Sequence, residues 1–128
     1  MTGVQTCALP ILEAAIALRR PLQEPADLVD DLADLTLTYV AAGKTAQALE
    51  TARELEALGS GPFDQAFWPH YVWWAVANGL AAGGEAERSQ RAFARAKEEL
   101  ERFAERIDDR RVRGAFDALP INRRIAAG

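Results

Sequence analysis

The chain predicts an all-α fold, and three observations predict it. From residue 12 onward apolar residues recur at spacings of three and four almost everywhere. No alternating apolar/polar run lasts beyond a few positions, so strands have no footing. A set of five residues also reappears at a constant offset, which marks an internal repeat.

Leu12 to Arg20 reads as a short helix stopped at Pro21, because proline lacks the donor that would continue it. From Asp27 the residues Leu28, Leu32, Leu35 and Tyr39 fall on one side at about 100° per residue, with Asp27, Asp30, Asp31 and Asp34 on the other. That helix runs to about Ala42 and ends at Gly43. The next, Thr45 to Leu58, buries Ala48, Ala52 and Leu55, and Gly59-Ser60-Gly61-Pro62 reads as a plain loop. A third helix starts near Asp64 or Pro69 and carries Trp73, Val76, Ala77 and Leu80 to Ala82, where Gly83-Gly84 stops it. The fourth is the longest: Ser89, Phe93, Ala96, Leu100, Phe103 and Ile107 form a narrow apolar seam, and Glu87–Arg91 and Glu98–Arg102 are i,i+4 pairs in the favourable order. A short helix from about Asp109 to Ala118, with Phe116 and Val112 as core, and a last turn after Pro120 finish the chain. Asp108 and Asp109 are placed to cap that short helix.

Leu32, Leu35, Tyr39, Gly43 and Ala48 are followed 41 residues later by Trp73, Val76, Leu80, Gly84 and Ser89. Bulky residues fill the gap between paired helices, Gly permits the tight reversal, and a small residue lets two backbones approach. This pattern resembles the tetratricopeptide repeat, although 41 exceeds that family's usual period of about 34 and also falls within the HEAT-like range. Most of the excess sits between Gly59 and Trp68. The resemblance implies an α-α superhelix of antiparallel helix pairs, with copies at about 27–58 and 64–107 and a closing segment at 108–128. In that closing segment Arg113, Phe116, Leu119-Pro120, Asn122-Arg123 and Ile125 resemble the end that follows the last such repeat in large bacterial regulators linked to an ATPase or cyclase. Residues 1–11, Met-Thr-Gly-Val-Gln-Thr-Cys-Ala-Leu-Pro-Ile, resemble a translated sequencing adapter, so residues 12–128 are expected to be the C-terminal end of a longer gene product.

The residue inventory excludes most chemistry. Fifteen Lys and Arg against nineteen Asp and Glu give a net charge of −4, which disfavours a phosphate-neutralising surface. One Cys and one His cannot close a zinc site or an internal disulfide. No apolar run approaches the roughly 20 residues of a membrane span. No glycine-rich stretch carries the Lys-Ser/Thr ending of a phosphate loop, and His70 has no nucleophile motif beside it, so it is expected as a surface or helix-start residue. We therefore expect no catalytic residue, no cofactor and no metal. The basic end, Arg110, Arg111, Arg113, Arg123 and Arg124, lacks interleaved aromatics other than Phe116, so nucleic acid is not the expected partner.

The expected partner is a protein or peptide, with the alternative of a structural cap that dimerises along the Ser89 to Ile107 helix. Trp68, Tyr71, Trp73 and Trp74 form the densest aromatic cluster. Trp73 occupies a packing position of the repeat. In the tetratricopeptide family the first helix of each pair lines the binding face, and the resemblance carries that face onto Asp30, Ala33, Leu37, Val40 and Ala41, then Tyr71, Trp74, Asn78, Ala81 and Ala82. Asp30, Leu37, Tyr71, Trp74 and Asn78 are the candidate partner-binding residues. Tyr and Trp give apolar area with a polar tip, and an Asn amide pairs with a peptide backbone.

Overall fold

The computed structural model describes residues 3–22 and 25–128. Those residues form eight helices: α1 (Gly3–Arg19), α2 (Pro25–Ala41), α3 (Thr45–Leu58), α4 (Ser60–Asp64), α5 (Pro69–Ala82), α6 (Ala86–Glu105), α7 (Arg110–Ala118) and α8 (Pro120–Ala127). No strand occurs among them. The all-α class is as the periodicity predicts.

Helix boundaries follow local chemistry. Pro69 and Pro120 each occupy the first turn of a helix, where proline's missing donor costs nothing. The Asp109 carboxylate accepts the Arg111 and Val112 amides at 2.9 and 3.0 Å and caps α7 as the sequence predicts. The two turns at the repeated glycines are the same turn. Gly43 has φ +73° and Gly84 φ +82°, both left-handed. The Gly43 amide donates to Val40 O and the Lys44 amide to Tyr39 O, at 3.1 and 2.9 Å; the Gly84 amide donates to Ala81 O and the Glu85 amide to Leu80 O at the same two distances. Each is the paired C-terminal closure that a left-handed residue completes. The offset of 41 therefore holds at the level of individual backbone bonds.

Packing runs in chain order. α2 pairs with α3 and α5 with α6, while α5 lies against both α2 and α3. α1 covers α2, and α8 rests on α6 with α7 beside it. Val29, Leu32, Ala48, Ala52, Leu55, Val72, Val76 and Leu80 form the main core. Ala96, Leu100, Ala104, Phe116 and Ile125 form a second one, under α7 and α8. The two cores meet at Trp73, which packs on both and takes the edge-to-face approach of Phe63 at 4.9 Å.

Several expectations need correction. The segment 59–62 is not a plain loop, since Ser60–Asp64 winds one short helix whose Phe63 is wholly buried. Along α6 the deepest residues include Ala92, Glu99 and Ala104, while Phe93, Phe103 and Ile107 are only half-buried, because two partners on adjoining faces widen the seam. Val112 is 54% exposed, and Phe116 alone of that pair enters the core. α1 begins at Gly3 and runs through Pro10 into the stretch expected to be helical, with Leu9 buried in the main core.

Gly79 sets the closest helix approach. A Cβ there would lie 2.6 Å from Ala52 Cβ and 2.8 Å from both Ala48 O and Thr36 Cγ2. At Gly84 a Cβ meets open space, so a side chain costs only the left-handed backbone. Gly79→Ala should therefore lower unfolding free energy by about 1–3 kcal/mol despite its better helix propensity. Gly84→Ala should cost about 1–2 kcal/mol. Urea midpoints at constant slope check both, and an unmoved midpoint for Gly79→Ala would show that α5 does not seat so deeply.

Candidate functional site

Asp30 and Tyr71, equivalent positions one repeat apart, line one cleft. Asp34 joins them from α2, and Phe67 and Trp68 come from the segment that leads into α5. The cleft encloses about 330 Å³. Three ring systems and two carboxylates thus face one space. The Tyr71 hydroxyl donates to Asp34 Oδ1 at 2.7 Å, tying α5 to α2. The Phe67 amide reaches Asp30 Oδ2 at 3.5 Å, a long contact that orients the incoming loop. Phe67 leaves 76% of its surface exposed.

Electrostatics at the cleft are one-sided. Burial pushes the Asp30 carboxyl up from its ordinary value; the Phe67 amide opposes this, and Asp34, Asp31 and Asp27 add like-charge repulsion. Burial likewise raises the Tyr71 hydroxyl, helped by its bond to Asp34, so it stays a neutral donor.

The remaining expected residues lie elsewhere or are otherwise engaged. Leu37 is half-buried against the main core. Trp74 is half-buried, edge to face with Phe93 at 5.2 Å and part of the second core's margin. Asn78 donates one amide hydrogen to the Trp74 carbonyl one turn back at 2.8 Å. Ala33, on the same expected face, is fully buried. Three residues of the α6 seam are engaged inside the chain: Ser89 donates to the Ala77 carbonyl at 2.8 Å, and Ala96 and Leu100 are buried in the second core, while Phe93, Phe103 and Ile107 are half-buried.

Phe67, Trp68 and Asp34 were absent from the expected binding face. Trp68 stood in the dense aromatic cluster, but Phe67 gave no signal because it sits in the surplus residues between the repeat copies. Glu99 was missed for a different reason. It lies on the buried side of α6 with 6% exposure, between Arg95 at 3.1 Å and Arg102 at 3.2 Å, and Arg95 itself rests over the Trp73 ring. The cation–π contact and the two ion pairs together hold a carboxylate where spacing alone predicts none.

His70 corrects a second expectation. It starts α5 but is fully buried, stacked on Trp68 at 5.5 Å and edge-on to Phe103 and Phe116. Neither ring nitrogen has a partner in hydrogen-bond geometry, and neither does the neighbouring Asn122 Oδ1. Asn122 is anchored through its nitrogen to the Phe116 carbonyl at 2.8 Å. Burial lowers the His70 pKa to about 4, with Asn122 opposing the shift. The ring is neutral and structural, a bearing between α5 and the closing segment.

Among the described residues no group of His, Cys, Asp and Glu is arranged to hold a metal ion. Comparison with family models, curated proteins and solved structures found no match to the chain.

A depressed histidine pKa means that the unfolded chain binds the proton first. Stability from this group is complete above about pH 6.5 and is lost as pH falls toward about 4. Asp30 acts in the opposite direction, because its raised pKa lets the folded state take a proton first. His70→Phe should flatten the fall in thermal midpoint between pH 6.5 and 4 relative to the parent chain. Parallel pH profiles for the two proteins would contradict a buried neutral His70.

Proposed function

We propose that the chain is a protein-interaction module, a terminal run of tetratricopeptide-like repeats that belongs to a larger cytoplasmic signalling or transcriptional regulatory protein. The observation that carries the reading is the cleft built by equivalent positions of the two copies, Asp30 and Tyr71, on the first helices of their pairs. The arrangement of helices supports it. α2 and α5 touch side by side, whereas the backbones of α3 and α6 do not approach each other. Such one-sided spacing curves a stack so that first helices form the inner wall. Long side chains bridge the outer gap, with Arg88 pairing to Glu56 and Arg53 to Glu85. No helix among the described residues is long and apolar enough to cross a membrane.

A bound segment would lie along α2 and α5 and place side chains between Asp30, Tyr71 and Trp68. Binding energy in such grooves concentrates on a few aromatic anchors. The second reading, a structural C-terminal cap, draws on α7 and α8, whose Phe116, Asn122 and Ile125 cover the otherwise open end of α5 and α6. Both roles fit one chain, since the cap and the cleft use different surfaces.

Peptide display against the full chain tests the module reading. Selected peptides should move the amide signals of Asp30, Asp34, Phe67 and Tyr71, and Tyr71→Ala should weaken them by about 2 kcal/mol while helical content is retained. Failure to select any peptide, together with a concentration-dependent dimer in sedimentation, would favour the cap.

A further inference from the structure

We propose that the cleft between α2 and α5 receives the guanidinium of an arginine side chain presented by a partner peptide. The proposal rests on the module reading and names what the cleft recognises. Its volume of about 330 Å³ lies at the lower end of the range for ligand pockets, which suits one long side chain better than a folded element. The walls are Phe67, Trp68 and Tyr71, and the polar groups are the Asp30 and Asp34 carboxylates.

The cleft itself is lined by two acids and no base. α2 carries Asp27, Asp30, Asp31 and Asp34 and no Lys or Arg. α5 has no charged Lys, Arg, Asp or Glu at all, and residues 59–68 add only Asp64. Among the described residues no ion pair joins Asp30 or Asp34 to a basic side chain, although nine such contacts are made elsewhere, in α3, α6, α7 and their flanks. Burial first, and repulsion from neighbouring aspartates second, displace the Asp30 carboxyl upward. A cation entering the cleft would relieve that repulsion and meet ring faces whose quadrupole attracts it.

Other occupants fit less well. An apolar side chain would bury the two carboxylates without a counter-charge, at a desolvation cost that its own burial does not recover. An acidic side chain would add a third carboxylate to the cleft. A lysine ammonium would satisfy the charge, but it is a compact, strongly hydrated ion that cannot stack. The guanidinium is planar and weakly hydrated, lies flat on an aromatic ring, and presents a fork of donors to carboxylates at its edge. Asp34 already accepts from the Tyr71 hydroxyl through Oδ1, which fixes its orientation for such an edge-on approach.

The full chain is titrated with Ac-Gly-Arg-Gly-NH2 and with the citrulline counterpart, which has the same shape and no charge, while the Trp68 indole and Tyr71 amide signals are followed by NMR. The arginine peptide should shift both signals saturably in the millimolar range, and the citrulline peptide should bind about tenfold more weakly, the equivalent of about 1.4 kcal/mol. Raising salt should weaken the arginine peptide alone. Asp30→Asn and Asp34→Asn should each reduce the arginine preference with helical content unchanged. Equal binding of the two peptides, or no saturable shift at Trp68, would overturn the proposal. If displayed peptides free of arginine bind and move Tyr71, the arginine assignment fails and the module reading survives; if no peptide of any kind binds, both fall.

Discussion

The structure depends on how closely α5 settles between α2 and α3. That approach is possible because Gly79 has no side chain where Ala48, Ala52 and Thr36 converge. Val76 and Leu80 reach the main core only with the α5 axis at that depth, and Tyr71 reaches Asp34 only because α5 and α2 run alongside each other. The first copy has Thr38 at the equivalent position, and there the hydroxyl simply bonds back to the Asp34 carbonyl at 2.7 Å. The two copies share a turn and a pairing geometry while differing in which neighbour they must admit.

Small polar residues make the close approach tolerable. Thr36 and Thr51 join across α2 and α3 by a 2.8 Å hydrogen bond, and each hydroxyl also meets a carbonyl of its own helix. Ser89 does the same service between α6 and α5. Buried hydroxyls cost little when paired and would cost about 1–3 kcal/mol each if left alone. Their positions therefore fix helix rotation as well as spacing, which a purely aliphatic contact would leave looser.

Much of this was legible in the sequence because helix periodicity, glycine stops and the 41-residue offset are local signals. Thr45–Leu58 and Pro69–Ala82 have the boundaries that those signals predict, and the caps at Asp109, Gly43 and Gly84 follow from residue type alone. What the sequence concealed depends on partners far along the chain. His70 is buried because α7 and α8 fold back over it, and Val112 is exposed because the same helices present a different side. Half of the cleft was legible, through Asp30 and Tyr71. Its other half comes from Asp34, which reads as a solvated face, and from Phe67, which belongs to no repeat position. The surplus residues that strain the family resemblance are the ones that close the cleft.

Charge placement separates the two sides of the stack. Along the second helices the ion pairs step from one helix to the next: Arg20 at the end of α1 holds Glu54 of α3, and Arg53 and Glu56 of α3 reach Glu85 and Arg88 at the start of α6. Pairs of this kind contribute modestly in water, yet they neutralise nearly every base available to that side. On the opposite side α5 offers no base to Asp30 and Asp34 at the cleft. A net charge of −4 is thus not spread over the chain but gathered, in part, beside exposed aromatic rings. A field that draws in opposite charge from a distance and carboxylates that order it at close range can thus share one source, with Asp30 and Asp34 standing at the cleft wall.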